Sequence, residues 1–182
     1  MTNFTKLILA TLVAFMQIFT TQAQDLVLQG IIDFTTPTGG NTGKAIHVKA
    51  INAIPDLSVY GIGVANNGGG TDGEEYNFDA IAVSAGDDIL VARDIAVMTA
   101  YFDACATEFE HVLQANNDIS QNGDDAIELY LNGTVIETFG DIDTDGTGEA
   151  WEYMDSWAYR TGIGSVAPPQ PTLISECGDF DA

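Results

Sequence analysis

The sequence has few basic residues. Five Lys and Arg stand against 27 Asp and Glu, so the formal net charge at pH 7 is −22. Phosphate backbones and anionic membranes are bound mainly through Lys and Arg, so neither is expected to be the primary partner. An acidic surface instead suits cations, basic partners or solubility in salt. Apolar residues make up 46% of the chain, which is enough for a packed core, so the charge does not indicate disorder.

The short motifs that mark common catalytic centres are also missing. The sequence contains no G-x-S-x-G nucleophile elbow, no H-E-x-x-H zinc motif and no P-loop. The two histidines have no motif partner: His47 is expected to be a solvated strand residue, and His111 a surface or half-buried one. With so many acids, a pair of carboxylates carries almost no information about acid–base catalysis. These absences favour a protein without an active site, while a hydrolase or nuclease of unrecognised type stays open.

Long apolar runs are absent too. Residues 7–19 form an apolar run of 13 residues, against about 20 for a transmembrane helix. Lys6 precedes this run and Thr21-Gln22-Ala23 follows it, which is the order found in a secretory signal peptide. Residues 1–23 are therefore predicted to be a signal peptide, and the mature chain, with no transmembrane segment, is expected to be secreted into the periplasm or beyond the cell. Four basic residues remain after this leader: Lys44, Lys49, Arg93 and Arg160.

Only two cysteines are present, Cys105 and Cys177. An oxidising export compartment permits a disulfide, and only one pairing within the chain exists. In the chain-entropy model a bond across so long a loop would stabilise the fold by about 4 kcal/mol. The alternative is a buried Cys105 and a free Cys177.

Short apolar segments of strand length, separated by Gly, Asn and Asp, dominate the mature chain. The predicted strands are residues 26–34, 45–51, 57–64, 78–83, 89–92, 109–113, 126–131 and 134–139. Regularly spaced short strands with such turns predict a mainly β fold, an antiparallel sandwich or barrel. The dipeptide Asn132-Gly133 between the last two strands predicts a two-residue hairpin turn, because both residues tolerate the positive φ that this turn requires.

One short helix is expected within this pattern. Its apolar residues recur three or four positions apart: Ile95, Met98, Phe102 and Cys105. Asp94 precedes them, in the position of a capping residue. After Arg160 the apolar periodicity gives way to Gly, Ser and Pro, so residues 161–182 are predicted to be an irregular tail. The predicted domain therefore spans residues 24–160.

One acidic segment matches a calcium-binding pattern in full. Residues 141–152 fit D-x-[DN]-x-[DN]-G-x5-E, in which alternate carboxylates surround a hard cation and a distal Glu closes the shell. The predicted ligands for Ca2+ are Asp141, Asp143, Asp145, the backbone carbonyl of Thr147, and Glu152. An EF-hand is not expected, because the preceding segment has the pattern of a strand and Gly148 occupies a position that is normally apolar. The alternative to a calcium site is a simple acidic turn.

An aromatic group follows this loop: Trp151, Tyr153, Trp157 and Tyr159. Exposed rings beside a calcium loop would suit stacking on sugars, which makes Trp151, Trp157 and Tyr159 candidate ligand-binding residues. Packing of a final strand into the core is the alternative explanation of the same pattern.

The segment NGDDAIELYLNGTVIETFGD, residues 122–141, resembles bacterial lamin-tail-type domains. Weaker similarity extends over residues 44–50 before 56–61, over 84–92, and over the Gly- and Trp-containing stretch 146–160. Together these segments cover roughly residues 25–160. Relatives usually continue into a further aromatic strand, whereas this chain turns to its Pro-containing tail.

The resemblance implies an immunoglobulin-like antiparallel β-sandwich without an active site of its own. Such domains accompany extracellular nucleases, phosphoesterases or sorting modules in secreted bacterial proteins, where they serve binding or attachment. The chain is therefore predicted to be a secreted, non-enzymatic module with a protein or glycan partner, stiffened by Ca2+ if the acidic loop binds it. Two alternatives stay open: a carbohydrate-binding module that uses the aromatic group, and an accessory domain related to those of extracellular nucleases.

Overall fold

The computed structural model describes residues 24–34 and 40–160. The predicted signal peptide and the predicted tail with Cys177 lie outside the described residues. The strands of the described part are β1 (Leu26–Phe34), β2 (Gly43–Ala50), β3 (Tyr60–Ala65), β4 (Tyr76–Asn77), β5 (Asp88–Ala92), β6 (His111–Gln114), β7 (Ala126–Leu131), β8 (Thr134–Phe139) and β9 (Trp157–Tyr159). Its helices are α1 (Ile95–Phe102) and the 3-10 helices Gly40–Thr42, Leu57–Val59, Asn66–Gly68 and Asp103–Glu108.

The strands form two sheets, in the orders β6-β5-β2-β1-β9 and β4-β3-β7-β8. Alternate side chains of both sheets meet in one apolar core, to which the first sheet contributes Ile31 and Ile46 and the second Ile62 and Ile127. The predicted mainly β sandwich with one short α-helix is confirmed. The immunoglobulin-like topology implied by the family resemblance stays a prediction.

Three parts of the predicted strand pattern are wrong. The predicted strand 57–64 begins only at Tyr60, because Leu57–Val59 forms a 3-10 helix. β5 and β6 run parallel, with Ile89 opposite His111. The connection through α1 and the following 3-10 helix returns the chain to the end of the sheet at which β5 starts, so β6 starts there too. The predicted strand 78–83 does not form. The Ile81 N–H donates to the Asp79 carbonyl, so the chain turns there instead of extending.

The α-helix forms where the sequence predicted it. The Asp94 side chain caps it by accepting a hydrogen bond from the Val97 N–H at 3.1 Å. The helix ends at Phe102, one turn before Cys105, because Asp103 takes a positive φ of 49°. Met98 and Phe102 face the outer side of the five-stranded sheet.

That outer side carries a second apolar cluster, which we call the aromatic cluster. Its buried members are Ile32, Phe34, Ala45, Leu90, Ala92, Met98, Phe102, Phe109, Trp157 and Tyr159. The five-stranded sheet is therefore covered on both faces, by the other sheet on one side and by α1 with its flanking segment on the other.

The predicted hairpin between β7 and β8 is confirmed. Leu131 pairs with Thr134, and the two turn residues Asn132 and Gly133 both have positive φ, 50° and 75°. Positive φ at both central residues is the geometry that matches the twist of the flanking strands.

Candidate functional site

The predicted calcium ligands lie in the loop after β8, at one end of the sandwich. This loop packs against the segment that follows β3, where the Gly70 N–H donates to the Ile142 carbonyl at 2.8 Å. A Cβ on Gly68 would lie 2.6 Å from the backbone N of Asp145, so only glycine fits this contact. We use the term acidic loop end for three segments together: residues 66–70, 122–125 and 141–152.

Two carboxylates of the predicted calcium loop, Asp141 and Asp145, accept hydrogen bonds from donors of the loop itself. Asp141 accepts from the Asp143 N–H at 3.0 Å and from the Thr144 hydroxyl at 3.1 Å. Asp145 accepts from the Thr147 N–H at 2.9 Å. Hydrogen bonds from Thr147 lower the pKa of the Asp145 carboxyl below its ordinary value. These contacts tie Asp141 and Asp145 to donors of the loop itself.

Glu152, the predicted distal ligand, also stays within its own loop and accepts from the Gly148 N–H at 2.9 Å. Among residues 24–34 and 40–160, no group of three or more His, Cys, Asp and Glu side chains is arranged to hold a metal ion. The four predicted carboxylates are thus neighbours that do not converge on one point. Calcium binding at this loop stays a prediction, and it would require exchange of the hydrogen bonds just described.

Asp125 organises the acidic loop end, although no sequence motif assigned it a role. It is fully buried. Its carboxylate accepts hydrogen bonds from the Asn66 side chain at 2.9 Å, the Asn67 N–H at 2.8 Å and the Asn122 N–H at 3.0 Å. Burial raises the pKa of the Asp125 carboxyl, although these hydrogen bonds act in the opposite direction. Asp125 therefore ties the segment after β3 to the turn before β7.

A repeated tripeptide is the signal that could have pointed to Asp125. Gly-Asp-Asp occurs at residues 86–88 and 123–125, each time at the entry to a strand. In both copies the second Asp is buried, as Asp88 and as Asp125. In both copies the tripeptide leads directly into a strand, β5 or β7. Burial of its second carboxylate depends on donors that come from distant segments.

A buried ion pair lies behind the turn before β7. The Lys44 Nζ lies 2.8 Å from Asp33 Oδ1, and the two side chains are 5% and 7% exposed. Lys44 and Asp33 stand opposite each other on β2 and β1. The same ammonium donates to the Gln121 carbonyl. The first sheet therefore holds the turn before β7 in place.

Every Lys and Arg side chain of the described residues binds a partner within the chain, and each is buried or half-buried. Their side-chain partners are Asp33 for Lys44, Asp88 for Lys49, Asn117 for Arg93, and Glu137 for Arg160. The exposed acids are Asp56, Asp72, Glu75, Asp79, Asp103, Glu108, Glu110, Asp118, Asp141, Asp143, Asp145, Glu149 and Asp155. The surface charge of this part of the chain is therefore mainly negative, because its exposed charged residues are all acids and its basic residues are buried or half-buried.

The three candidate sugar-binding aromatics do not form an exposed surface. Trp157 and Tyr159 are 8% and 4% exposed and belong to the aromatic cluster. Trp151 is half-buried and packs edge-on against Phe139, with ring centroids 6.0 Å apart, while its ring fills the space beside Gly146. All three rings pack against an apolar cluster, as the alternative explanation of the aromatic pattern predicted. Only Trp151 offers part of a ring to a ligand in this conformation.

His47 is buried, so the prediction of a solvated residue is wrong. Its Nε2 lies 2.7 Å from Asp88 Oδ1, and its Nδ1 lies 3.1 Å from the Tyr159 hydroxyl. Burial acts to raise the pKa of Asp88, but the hydrogen bonds and charges of His47 and Lys49 together hold it below its ordinary value. This chain of Tyr, His and Asp has the groups of an acid–base relay. At 1% exposure of His47, it is closed to a substrate.

Cys105 lies in the 3-10 helix after α1 and is disulfide-bonded. Cys177 lies outside the described residues, so the pairing of the two stays a prediction here.

No protein-family model, curated protein or solved structure matches this chain. Kinship with lamin-tail-type domains therefore stays a prediction that depends on the segments named above. In the described part of the chain, no helix combines the length and apolarity needed to cross a membrane.

Proposed function

We propose that the mature chain is a secreted, non-enzymatic β-sandwich module of lamin-tail type that mediates protein interaction or surface attachment, and that its partner presents a basic protein surface. One observation carries the proposal: the described residues expose many carboxylates, while every basic side chain is used internally. A surface of one sign attracts a partner of the opposite sign over distances up to the Debye length, about 8 Å at physiological salt.

The non-enzymatic part of the proposal is supported by the placement of the groups that could transfer protons. His47, Asp88 and Tyr159 are hydrogen-bonded to one another and buried beneath the aromatic cluster. A general acid or base must reach its substrate directly or through one water. In the described residues these three side chains join β2, β5 and β9 of one sheet through hydrogen bonds.

The acidic loop end is the proposed contact surface. It combines exposed carboxylates with a backbone fixed by Asp125 and by close glycine contacts, so a partner binds without first having to order these loops. Calcium is a proposed structural ligand of the same surface. Asp141, Asp143, Asp145, Glu152 and the Thr147 carbonyl offer the oxygen atoms that Ca2+ prefers.

The test measures binding of the full mature chain to poly-L-lysine, with poly-L-glutamate as the probe of opposite charge. The expected result is binding to poly-L-lysine alone, weakened as salt rises. The triple variant Asp141→Asn, Asp143→Asn, Asp145→Asn should weaken it more than the matched variant Asp56→Asn, Asp72→Asn, Asp79→Asn, which removes the same charge elsewhere. Equal weakening by both triples would overturn the assignment of the contact surface. Absence of salt-dependent binding would overturn the choice of a basic partner.

A further inference from the structure

Two Lys–Asp pairs join neighbouring strands of the five-stranded sheet, and they differ in burial. Lys44 lies opposite Asp33 on β1, and Lys49 lies opposite Asp88 on β5. The Nζ–Oδ distances are similar, 2.8 and 3.0 Å. The Lys44 and Asp33 side chains are 5% and 7% exposed, whereas the Lys49 side chain is 27% exposed and its partner Asp88 also binds His47. The pair of Lys44 and Asp33 is therefore the more enclosed of the two.

The apolar core surrounds this enclosed pair. Asp33 and Lys44 lie on the same face of the sheet as Ile31 and Ile46, which belong to the core between the two sheets. The turn before β7 closes over the carboxylate, since a Cβ on Gly123 would lie 2.9 Å from Asp33 Oδ2. Desolvation in such a site acts against both charged forms and favours reaction to a neutral product.

The Gln121 side chain lies beside the pair. Its Nε2 donates to the Ile32 carbonyl at 3.3 Å and to the Ala45 carbonyl at 3.4 Å. These carbonyls belong to the residue before Asp33 and the residue after Lys44. The Gln121 Oε1 is buried and has no hydrogen-bond donor within the described part of the chain. An ionised Asp33 has no proton to donate, whereas a neutral carboxyl carries an O–H. An unpaired buried acceptor in this cluster therefore suits a neutral Asp33 better than an ionised one.

We propose that Lys44 and Asp33 become joined by a spontaneous isopeptide bond between β1 and β2. A proton of the ammonium passes to the carboxylate along the 2.8 Å hydrogen bond, which leaves a neutral amine and a neutral carboxylic acid. The amine Nζ attacks Asp33 Cγ, so that a C–N bond forms and the bond from Cγ to the hydroxyl oxygen breaks. That hydroxyl leaves as water with a proton from Nζ, and no oxidant, reductant or cofactor is consumed.

The folded chain supplies the conditions for this reaction. The two groups are held in contact, and fixed proximity replaces a bimolecular encounter. A lysine removed from water is activated as a nucleophile. The Gln121 carbonyl, which accepts from the ammonium, is in place to accept from the single N–H of the new amide. The bond lies inside the sandwich and involves no partner, so it is independent of the proposed function.

Mass spectrometry of the mature chain, reduced and unfolded, tests the proposal. The intact mass should fall below the sequence mass by one water molecule. Trypsin should cut the unfolded chain after Lys49 but not after Lys44, because it requires a free lysine side chain. Lys49 thus serves as the control from the less enclosed pair. Chymotrypsin cuts after Phe34, between the two joined residues, and the fragments on either side should stay linked.

A chain that has never folded is the matched control. Kept in denaturant from its synthesis, it should have the full sequence mass and be cut after Lys44, and both results should change after refolding. Lys44→Arg keeps the positive charge but lacks the amine nucleophile, so it should keep its full mass after refolding. The proposal would be overturned by a refolded chain that has lost no water, by cleavage after Lys44 in that chain, or by a loss of water that maps to other residues.

Discussion

Glu137 and Arg160 join the two sheets at their common edge. Glu137 lies on β8 of the four-stranded sheet, and Arg160 follows β9 of the five-stranded sheet; the two side chains form an ion pair in which each is 13% exposed. The register between β1 and β2 shifts at Gln29, between the pairs Leu28–Val48 and Gly30–His47. Glu137 accepts the Leu28 N–H at 3.0 Å, and Arg160 donates through Nε to the Leu28 carbonyl at 2.6 Å. The pair therefore binds both backbone polar groups of Leu28, next to the register shift in β1.

Removal of Glu137 should destabilise the fold. Glu137→Ala leaves Arg160 without its partner and the Leu28 N–H without its acceptor, and we expect a loss of about 2–4 kcal/mol in the free energy of unfolding. Urea denaturation of the mature chain measures it. The exposed Glu149→Ala should stay within about 0.5 kcal/mol of the native value. Equal losses for both variants would show that the pair does not hold the sheets together.

Removal of the Asp125 carboxylate should destabilise the fold by an amount similar to removal of Glu137. Asp125→Ala leaves the donors of Asn66, Asn67 and Asn122 without an acceptor in a buried site, and we expect a loss of about 3 kcal/mol or more. Chemical denaturation gives the total, and hydrogen exchange at residues 66–70 should show faster opening of that segment. Asp118→Ala, an exposed acid of the same region, is the control. An Asp125 variant of native stability would mean that the acidic loop end is held by other contacts.

The contributions of Asp88 and Asp125 to the free energy of unfolding should change with pH in opposite directions. The folded pKa of Asp88 is lowered, so its contribution is present above its unfolded pKa, 3.8, and is lost as pH falls through the folded value. The folded pKa of Asp125 is raised, so its contribution is full below 3.8 and is lost as pH rises through the folded value.

Denaturation curves between pH 3 and pH 7 test these signs. As pH falls, the free energy of unfolding of the native protein should lose its advantage over that of Asp88→Asn. Over the same fall in pH, its advantage over Asp125→Asn should increase. Asp79→Asn, an exposed substitution, is the reference. Parallel curves for the two buried positions would contradict the assignment.

Calcium should stabilise the protein if residues 141–152 bind it. A ligand at 100 times its Kd adds about 2.7 kcal/mol, which corresponds to a rise of roughly 5–10 °C in Tm. Thermal unfolding of the mature chain with calcium, with magnesium and with chelator measures this directly. Asp143→Ala should abolish the rise and Asp155→Ala should keep it. Coincident curves under the three conditions would make the segment a plain acidic turn.

Local signals made part of the fold predictable. β1, β7 and β8 were predicted with the bounds that the structure has, since alternation and the Asn132-Gly133 turn act within a few residues. The start of α1 was predictable for the same reason, through the cap at Asp94.

Features set by distant contacts were not predictable. His47 alternates with apolar neighbours as a solvated residue would, but it is buried among Asp88, Phe109 and Tyr159, which come from distant parts of the chain. Asp125 accepts one hydrogen bond from its own turn, at Asn122, and two from Asn66 and Asn67 in the distant segment after β3, which no local pattern contains. The parallel placement of β6 depends on the path of the chain through α1, which strand propensity does not encode.

The internal use of the basic side chains also bears on how the described residues meet proteases. Proteases of trypsin type cut after Lys or Arg, and the described residues offer them four positions, two of which lie in β2 at the centre of its sheet. Arg93 follows β5 directly, and Arg160 is bound to Glu137 across the edge of the sandwich. Such a protease needs a free, extended stretch of backbone around the cleaved bond. Two of the four cleavable bonds therefore lie in a central strand, and cutting there should require opening of that sheet.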